Sequence, residues 1–364
     1  MKKKVFNIIK YLLFFLTGAG IFWFIYRDFE MDSLKMELSQ LKYGWIALSL
    51  IIGLFSHYIR AIRWKMLIKP LGYEPRTINL FGSVMIMYLA NLLLPRAGEV
   101  ARCTVLTRYE KVPFTKLVGT VAIERLTDLV ALLVFAFFII LSQLGAFNAF
   151  LLTHAEMRDN INNIFTLRNI SIVVIVGVLF IGLGYYVLKS DFGGKLGGKV
   201  NSLKHQFVDG IKSIRNVSNI WLYVFYTVLI YVLWLYMSYV IFFAYGPTGH
   251  LTLPVAMITF VMSGLAMVAP VQGGIGPWHF MVYETLFIYG IEKVNGKTFA
   301  LISHTSTQLA LLFFGALFLV ILPIINNSAN KKTGRYLNSI KFMSILDSIL
   351  KSSTSSSISG SSGS

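Results

Sequence analysis

The stretch Asn91–Arg102, NLLLPRAGEVAR, decides how the chain is read. An apolar run, Phe81–Leu94, is broken by Pro95 and followed at once by Arg96, Glu99 and Arg102. Proline removes a backbone donor and ends or kinks a helix. Ionisable side chains beside such a break are costly at membrane depth, about 2.5–3.5 kcal/mol each on insertion scales, unless they pair or line a watery cavity. Spaced three apart, these charges form one polar flank of a helix, with Glu99 in reach of both arginines. Two readings are open: a short cytoplasmic loop between membrane helices, or a broken intramembrane segment that lines a site. The rest of the chain favours the second.

The composition is that of a membrane protein. Of 364 residues, 56% are hydrophobic and only 13% charged, against about 25% charged in soluble domains, and the mean hydropathy is +0.68. Apolar stretches of about 20 residues recur, too long for barrel strands of about 9–11. The net charge of +17 would suit nucleic acid. Here, however, the basic residues fall between apolar spans, which fits positive-inside topology and contact with anionic headgroups. One cysteine, Cys103, excludes an internal disulfide and a cysteine metal cluster.

Read in order, the chain alternates spans and basic segments. A first helix at about Ile8–Tyr26 follows Lys2, Lys3 and Lys4; its start resembles a signal peptide without a clear cleavage site, so it is read as retained. Arg27–Lys42 is read as external. A second helix, about Gly44–Ile62, runs into Arg60, Arg63, Lys65 and Lys69 and is read as ending inside, with Trp64 as an interfacial anchor. Thr77–Arg108 starts and ends beside basic residues, so it reads as a re-entrant hairpin with its tip near Pro95. A third helix, about Leu117–Leu141, carries Glu124, Arg125 and Asp128. Ser142–Arg168 is read as external, and a fourth helix at about Asn169–Leu188 returns inside. Lys189–Arg215, with its lysines and paired glycines, reads as a flexible cytoplasmic loop. A fifth helix spans about Ile220–Tyr245. Leu253–Ala269, VQGGIGP and Trp278–Tyr289 read as a second hairpin, entered from outside. The last helix is about Phe299–Ile325, and residues 327–364 form a basic, then Ser/Gly-rich tail set aside from the fold.

The expected fold is therefore an all-α polytopic membrane protein: about six full transmembrane helices plus two re-entrant helical hairpins, in an inverted repeat. One domain covers 1–326, with halves at about 1–142 and 168–326. Transporters built this way hold their site near the midplane, at discontinuous helices. Both termini, Lys65 and Lys204 are expected to be cytoplasmic, and Asn148 and Lys293 external.

Two constellations are candidates for function. The first is Arg96, Glu99, Arg102, Glu124, Arg125 and Asp128. Glu124 and Asp128 are one helical turn apart, and Arg125 and Asp128 also face each other. Packed together, the six form a buried network whose arginines offer forked donors suited to a phosphate; alternatively the network satisfies itself and only locks the hairpin. The second is Gln272, Gly273, Gly274, Gly276 and His279. Glycines allow positive φ and close approach, so backbone N–H groups there are candidates for holding an anion, with Pro277 opening a helix aimed at the loop. A tight turn is the simpler alternative. His279, Glu284, His304 and Gln308 suggest either a proton relay or ordinary interhelical bonds. Neither a metal triad nor a nucleophile–base arrangement has the required spacing.

RAIRW at 60–64, NLLLPRAGEVAR at 91–102, ERLTD at 124–128 and APVQGGIGPWHF at 269–280 together resemble the lysylphosphatidylglycerol synthase transmembrane family. This is the flippase-like domain at the N-terminus of the multiple peptide resistance factor. The likeness reaches about residue 326, and the last motif departs from it at Pro277–Trp278–His279, where many members carry an acidic residue. The soluble aminoacyl-transferase domain of the fused proteins is not expected in this chain. The resemblance implies a multi-pass flippase or lipid transporter of the bacterial inner membrane, not an enzyme, and no cofactor. It implies membrane lipids as partners, with aminoacylated phospholipid or polyprenyl-linked headgroups, and no nucleic acid. A homo-oligomer stays open. The rivals are an intramembrane headgroup transferase and a non-transporting subunit of a glycolipid pathway.

Overall fold

In the computed structural model, residues 20–27, 36–93, 97–142, 145, 194–267 and 271–330 are described. Among them the chain is helical, with no strand. Nine helices carry the argument: α1 Tyr43–Ile68, α2 Thr77–Leu93, α3 Gly98–Glu110, α4 Phe114–Ser142, α5 Gly194–Lys212, α6 Ile220–Val240, α7 Leu253–Ala266, α8 Pro277–Ile288 and α9 Lys293–Asn330. The first expected helix is seen only at its end, where residues 20–26 are helical. The expected fourth helix and the tail lie outside the described residues.

Local chemistry sets the boundaries. Pro70 and left-handed Gly72 follow α1, and α3 stops at left-handed Lys111 ahead of Pro113. Asn219 caps α6, its side chain accepting from the Leu222 amide at 2.9 Å. Proline occupies the first turn of α7 and of α8, where a missing donor costs nothing. Tyr43–Leu71, Ile220–Ala244 and Lys293–Asn326 are long and apolar enough to cross a membrane. The paired helices are shorter: α2 has 17 residues, α3 13, α7 14 and α8 12. Each falls below the roughly 20 residues that a straight crossing needs.

Three expectations change. α1 does not end at its arginines: it runs on to Ile68, with Arg60, Arg63 and Trp64 all buried. Trp64 is no interfacial anchor, since its indole N–H donates to Thr120 at 2.9 Å inside the protein. The positive-inside rule counts loop charges, and these two arginines are neutralised from within. Residues 194–212 are not a loop but α5, packed along α4. There Gly119 and Gly210 bring the two backbones together: a Cβ on Gly210 would lie 2.4 Å from the Lys116 carbonyl oxygen. The last helix begins at Lys293, not Phe299, and keeps Pro323 inside it.

α1 lies along α6, α2 packs between α3 and α9, and α8 packs on α7 and α9. The first break is closed by Gly98, whose amide donates to the Asn91 side chain at 2.8 Å. A Cβ there would sit 2.3 Å from the Met87 carbonyl oxygen, so only glycine lets α3 fold back against α2. The second break, residues 271–276, rests against the end of α2: a Cβ on Gly273 would lie 3.2 Å from Leu92 Cδ2. The second break therefore meets α2 two residues short of the first.

Candidate functional site

Three helices bring charge to one place. Arg60 and Arg63 stand one turn apart on the inner face of α1, and Glu124 and Asp128 one turn apart on α4. α3 supplies Glu99 and Arg102 beside the first break, and α4 adds Arg125. Arg60 bridges both acids, donating from Nε to Glu124 at 2.9 Å and from Nη2 to Asp128 at 2.8 Å. Its Nη1 donates to the Tyr88 hydroxyl of α2 at 2.9 Å. Arg63 pairs with Asp128 and donates to Thr227 of α6 at 3.1 Å. Arg102 donates to both Glu124 oxygens, at 3.0 and 3.3 Å, and its guanidinium lies 4.6 Å over the Trp64 ring. Tyr231 of α6 donates to the Asp128 backbone carbonyl at 2.6 Å.

Arg63, Arg102 and Glu124 are 0% exposed, Arg60 3% and Asp128 14%. Burying such charges is tolerated because each carboxylate faces more than one guanidinium and the forks are filled by short, charge-assisted bonds. The match is not complete. Arg63 Nε and Arg102 Nε and Nη2 have no partner among the described residues. Arg125 stands apart at 40% exposure, beside the 31% exposed Glu99. The described network thus holds four guanidiniums against three carboxylates and carries net positive charge.

The site differs from the sequence reading in its pairing. Glu99 does not pair with Arg102: it sits 3.1 Å from Arg125, while Arg102 turns inward to Glu124. The α3–α4 packing decides this, because the acid on α4 is closer to Arg102 than its own helical neighbour. The Arg125–Asp128 pair is present at 3.6 Å. Arg96 lies outside the described residues. Arg60, Arg63 and Tyr88 escape a reading that assigns basic residues to loops. The available signal was the three-residue spacing of Arg60 and Arg63 within an apolar run, which places both on one helical face.

The second constellation is tied into the packing of α8 and α9. Gly273, Gly274 and Gly276 have φ of +59°, +77° and +93°, so the loop needs its glycines. Three of its amides are turned back into the protein. Gly274 and Ile275 donate back to Val271 and Gln272, and Gly276 donates to His279 Nδ1 at 3.3 Å. The Gly273 carbonyl is what the loop displays, and α9 grips it: His304 Nε2 lies at 2.8 Å and Gln308 Nε2 at 3.2 Å. Buried His279 stacks edge-on against His304 at 4.5 Å and against Tyr26 at 5.7 Å. Glu284 is not part of a relay with it; its carboxylate pairs with Lys293 at 3.0 Å. The second loop is a clamp that holds the two breaks together.

Helix pairs broken beside a buried ionic network, among helices long enough to span a bilayer, define a polytopic helical membrane protein with a polar centre. The chain belongs to the family described as the lysylphosphatidylglycerol synthase TM region, whose model matches residues 7–315. It is similar to a UPF0104 membrane protein of Pyrococcus horikoshii, 24% identical over 277 residues, covering 68% of this chain and 78% of that protein. A UPF0104 membrane protein of Methanocaldococcus jannaschii is 29% identical over 113 residues, 30% of this chain and 34% of that protein. A protein of Haloferax volcanii named glycosyltransferase AglD is 30% identical over 88 residues, 24% of this chain and 14% of that protein. The last two matches thus span about a third and about a seventh of those relatives' own lengths. No solved structure matches.

Proposed function

We propose that the chain is a lipid translocator of a cytoplasmic membrane, bacterial in type. It would move an anionic or modified phospholipid, or a polyprenyl-linked lipid, between leaflets. The observation that carries this reading is the positively charged network wedged among α1, α3, α4 and α6 beside the meeting point of the two helix breaks. A lipid headgroup crossing a bilayer needs a polar waypoint at depth, and four arginines with surplus charge suit a phosphate. In this reading α2–α3 and α7–α8 are re-entrant hairpins, too short to cross singly, that enter from opposite sides as inverted repeats do. Family membership supports a role with membrane lipids.

The test is reconstitution. Purified protein in liposomes containing fluorescent phosphatidylglycerol is expected to expose the inner-leaflet dye to an outside quencher, while protein-free vesicles protect it. A second reading, an intramembrane headgroup transferase, has the short glycosyltransferase match in its favour. Against it, Glu124 and Asp128 are each engaged by two or more guanidiniums, which leaves neither free to act as a base. A covalently altered lipid in the same vesicles, without translocation, would favour that second reading.

A further inference from the structure

We infer that Arg125 is the seat of the headgroup phosphate and that Glu99 is its resident stand-in, released when lipid arrives. The inference rests on the translocator reading and names which part of the network meets the lipid. Three of the four arginines are committed: Arg60, Arg63 and Arg102 are buried and bond short to carboxylates, a tyrosine and a threonine. Arg125 differs in its exposure and in the length of its carboxylate contacts. It is the most exposed of the four, and its contacts with Glu99, Asp128 and Glu124 are loose, at 3.1, 3.6 and 3.9 Å. Even the nearest is a charge contact and not an aligned hydrogen bond, because Arg125 Nε has no acceptor in line. Its one hydrogen bond among the described residues goes to the thioether of Met87, at 3.8 Å. A guanidinium with no short hydrogen bond to a carboxylate, beside a partly exposed carboxylate, is suited to exchange that carboxylate for a better acceptor.

The surroundings favour an anion at that spot. Glu99 is in the first turn of α3, so the spot that its carboxylate occupies lies at the positive end of that helix. The core beneath Arg125 already has a surplus of guanidinium charge, so displacement of Glu99 exposes net positive potential. A phosphate ester offers more acceptor oxygens in the same forked geometry and remains ionised, so it takes the place of the carboxylate. Glu99 then competes with substrate, and its removal strengthens binding.

That sign is the test. The full-length protein in detergent is titrated with short-chain phosphatidylglycerol, and separately with inorganic phosphate, with binding read by native mass spectrometry and by thermal shift. Arg125→Gln is expected to weaken phosphatidylglycerol binding about ten- to a hundredfold, and Arg125→Lys to restore only part of it. Glu99→Gln is expected to strengthen binding about two- to fivefold, the scale of a half-exposed ion pair. The double variant should bind like Arg125→Gln. Phosphate competing with the lipid in an Arg125-dependent way assigns the seat to the phosphate group itself; lipid binding without phosphate competition assigns it to the whole ester. If Glu99 and Arg125 only brace α3 on α4, both single variants lose binding and thermal stability together, and the inference fails. It also fails if wild type binds neither probe, or if folded Arg125→Gln and Arg125→Lys bind as wild type does. These readouts need no transport, so they separate this inference from the translocator reading: translocation with unchanged Arg125 binding overturns the seat alone.

Discussion

At the residue scale, Glu124 is the centre of charge. It accepts from Arg60 and Arg102 and has Arg63 and Arg125 within 4 Å. Removing one partner of a buried ionic set leaves the others uncompensated, a loss of about 3–5 kcal/mol. Glu124→Ala is therefore expected to cut thermal stability and membrane yield sharply, whereas Glu99→Gln should leave the melting temperature within a degree or two; thermal unfolding in detergent separates them. Gly273→Val is expected to abolish translocation. Its φ of +59° disfavours any side chain, and the new atoms would push on Leu92 and Gln308, separating the breaks. A transport assay on membrane-inserted variant protein checks it. The acidic and basic residues of the network were legible in the sequence as types and spacings; apart from the Arg125–Asp128 pair, their partners were not. Spacing along α3 put Glu99 beside Arg102, but a helix packed across it supplied the nearer acid. Arg60 and Arg63 read as flanking charges because one sequence does not reveal which charges have opposite partners on another helix.

At the element scale, the breaks were the most legible feature. Proline and glycine clusters at Pro95–Gly98 and Pro270–Pro277 marked them, and the helices on either side fall within a few residues of the expected positions. α5 was not legible. Repeated glycines have poor helical propensity and, set among basic residues, read as loop, yet Gly210 is there because α4 approaches too closely for a side chain. Tertiary packing overrides propensity at that helix. The same logic governs Gly98. Gly98→Val places atoms against the Met87 carbonyl and Asn91, so α3 is expected to lift from α2 and withdraw Arg102 from Glu124. The expected outcome is a destabilised protein with faster proteolysis in the 94–111 region and weakened lipid binding, read by limited digestion.

At the scale of the whole molecule, three described helices are long and apolar enough to span a bilayer, and the break between α7 and α8 rests on the end of α2. The hydropathy pattern and charge asymmetry announced a polytopic helical protein. They could not place the polar centre, which depends on which sides of the membrane α2–α3 enters and leaves. With Cys103, the single cysteine, replaced by serine, new cysteines at Lys65 and Lys293 are expected to react with impermeant reagent from opposite sides. The site's depth can be measured with a nitroxide at Val100, which is 56% exposed near the first break, compared with one at Lys111 at the far end of α3. These positions lie about 16 Å apart along the helix axis. In bilayers, the Val100 label is expected to sit deep, relaxed by oxygen and shielded from an aqueous nickel reagent, with Lys111 in water on the same side as Lys65. A Val100 label at either aqueous surface, or Lys111 on the side opposite Lys65, would contradict a charged site buried in the membrane at the meeting of two re-entrant hairpins.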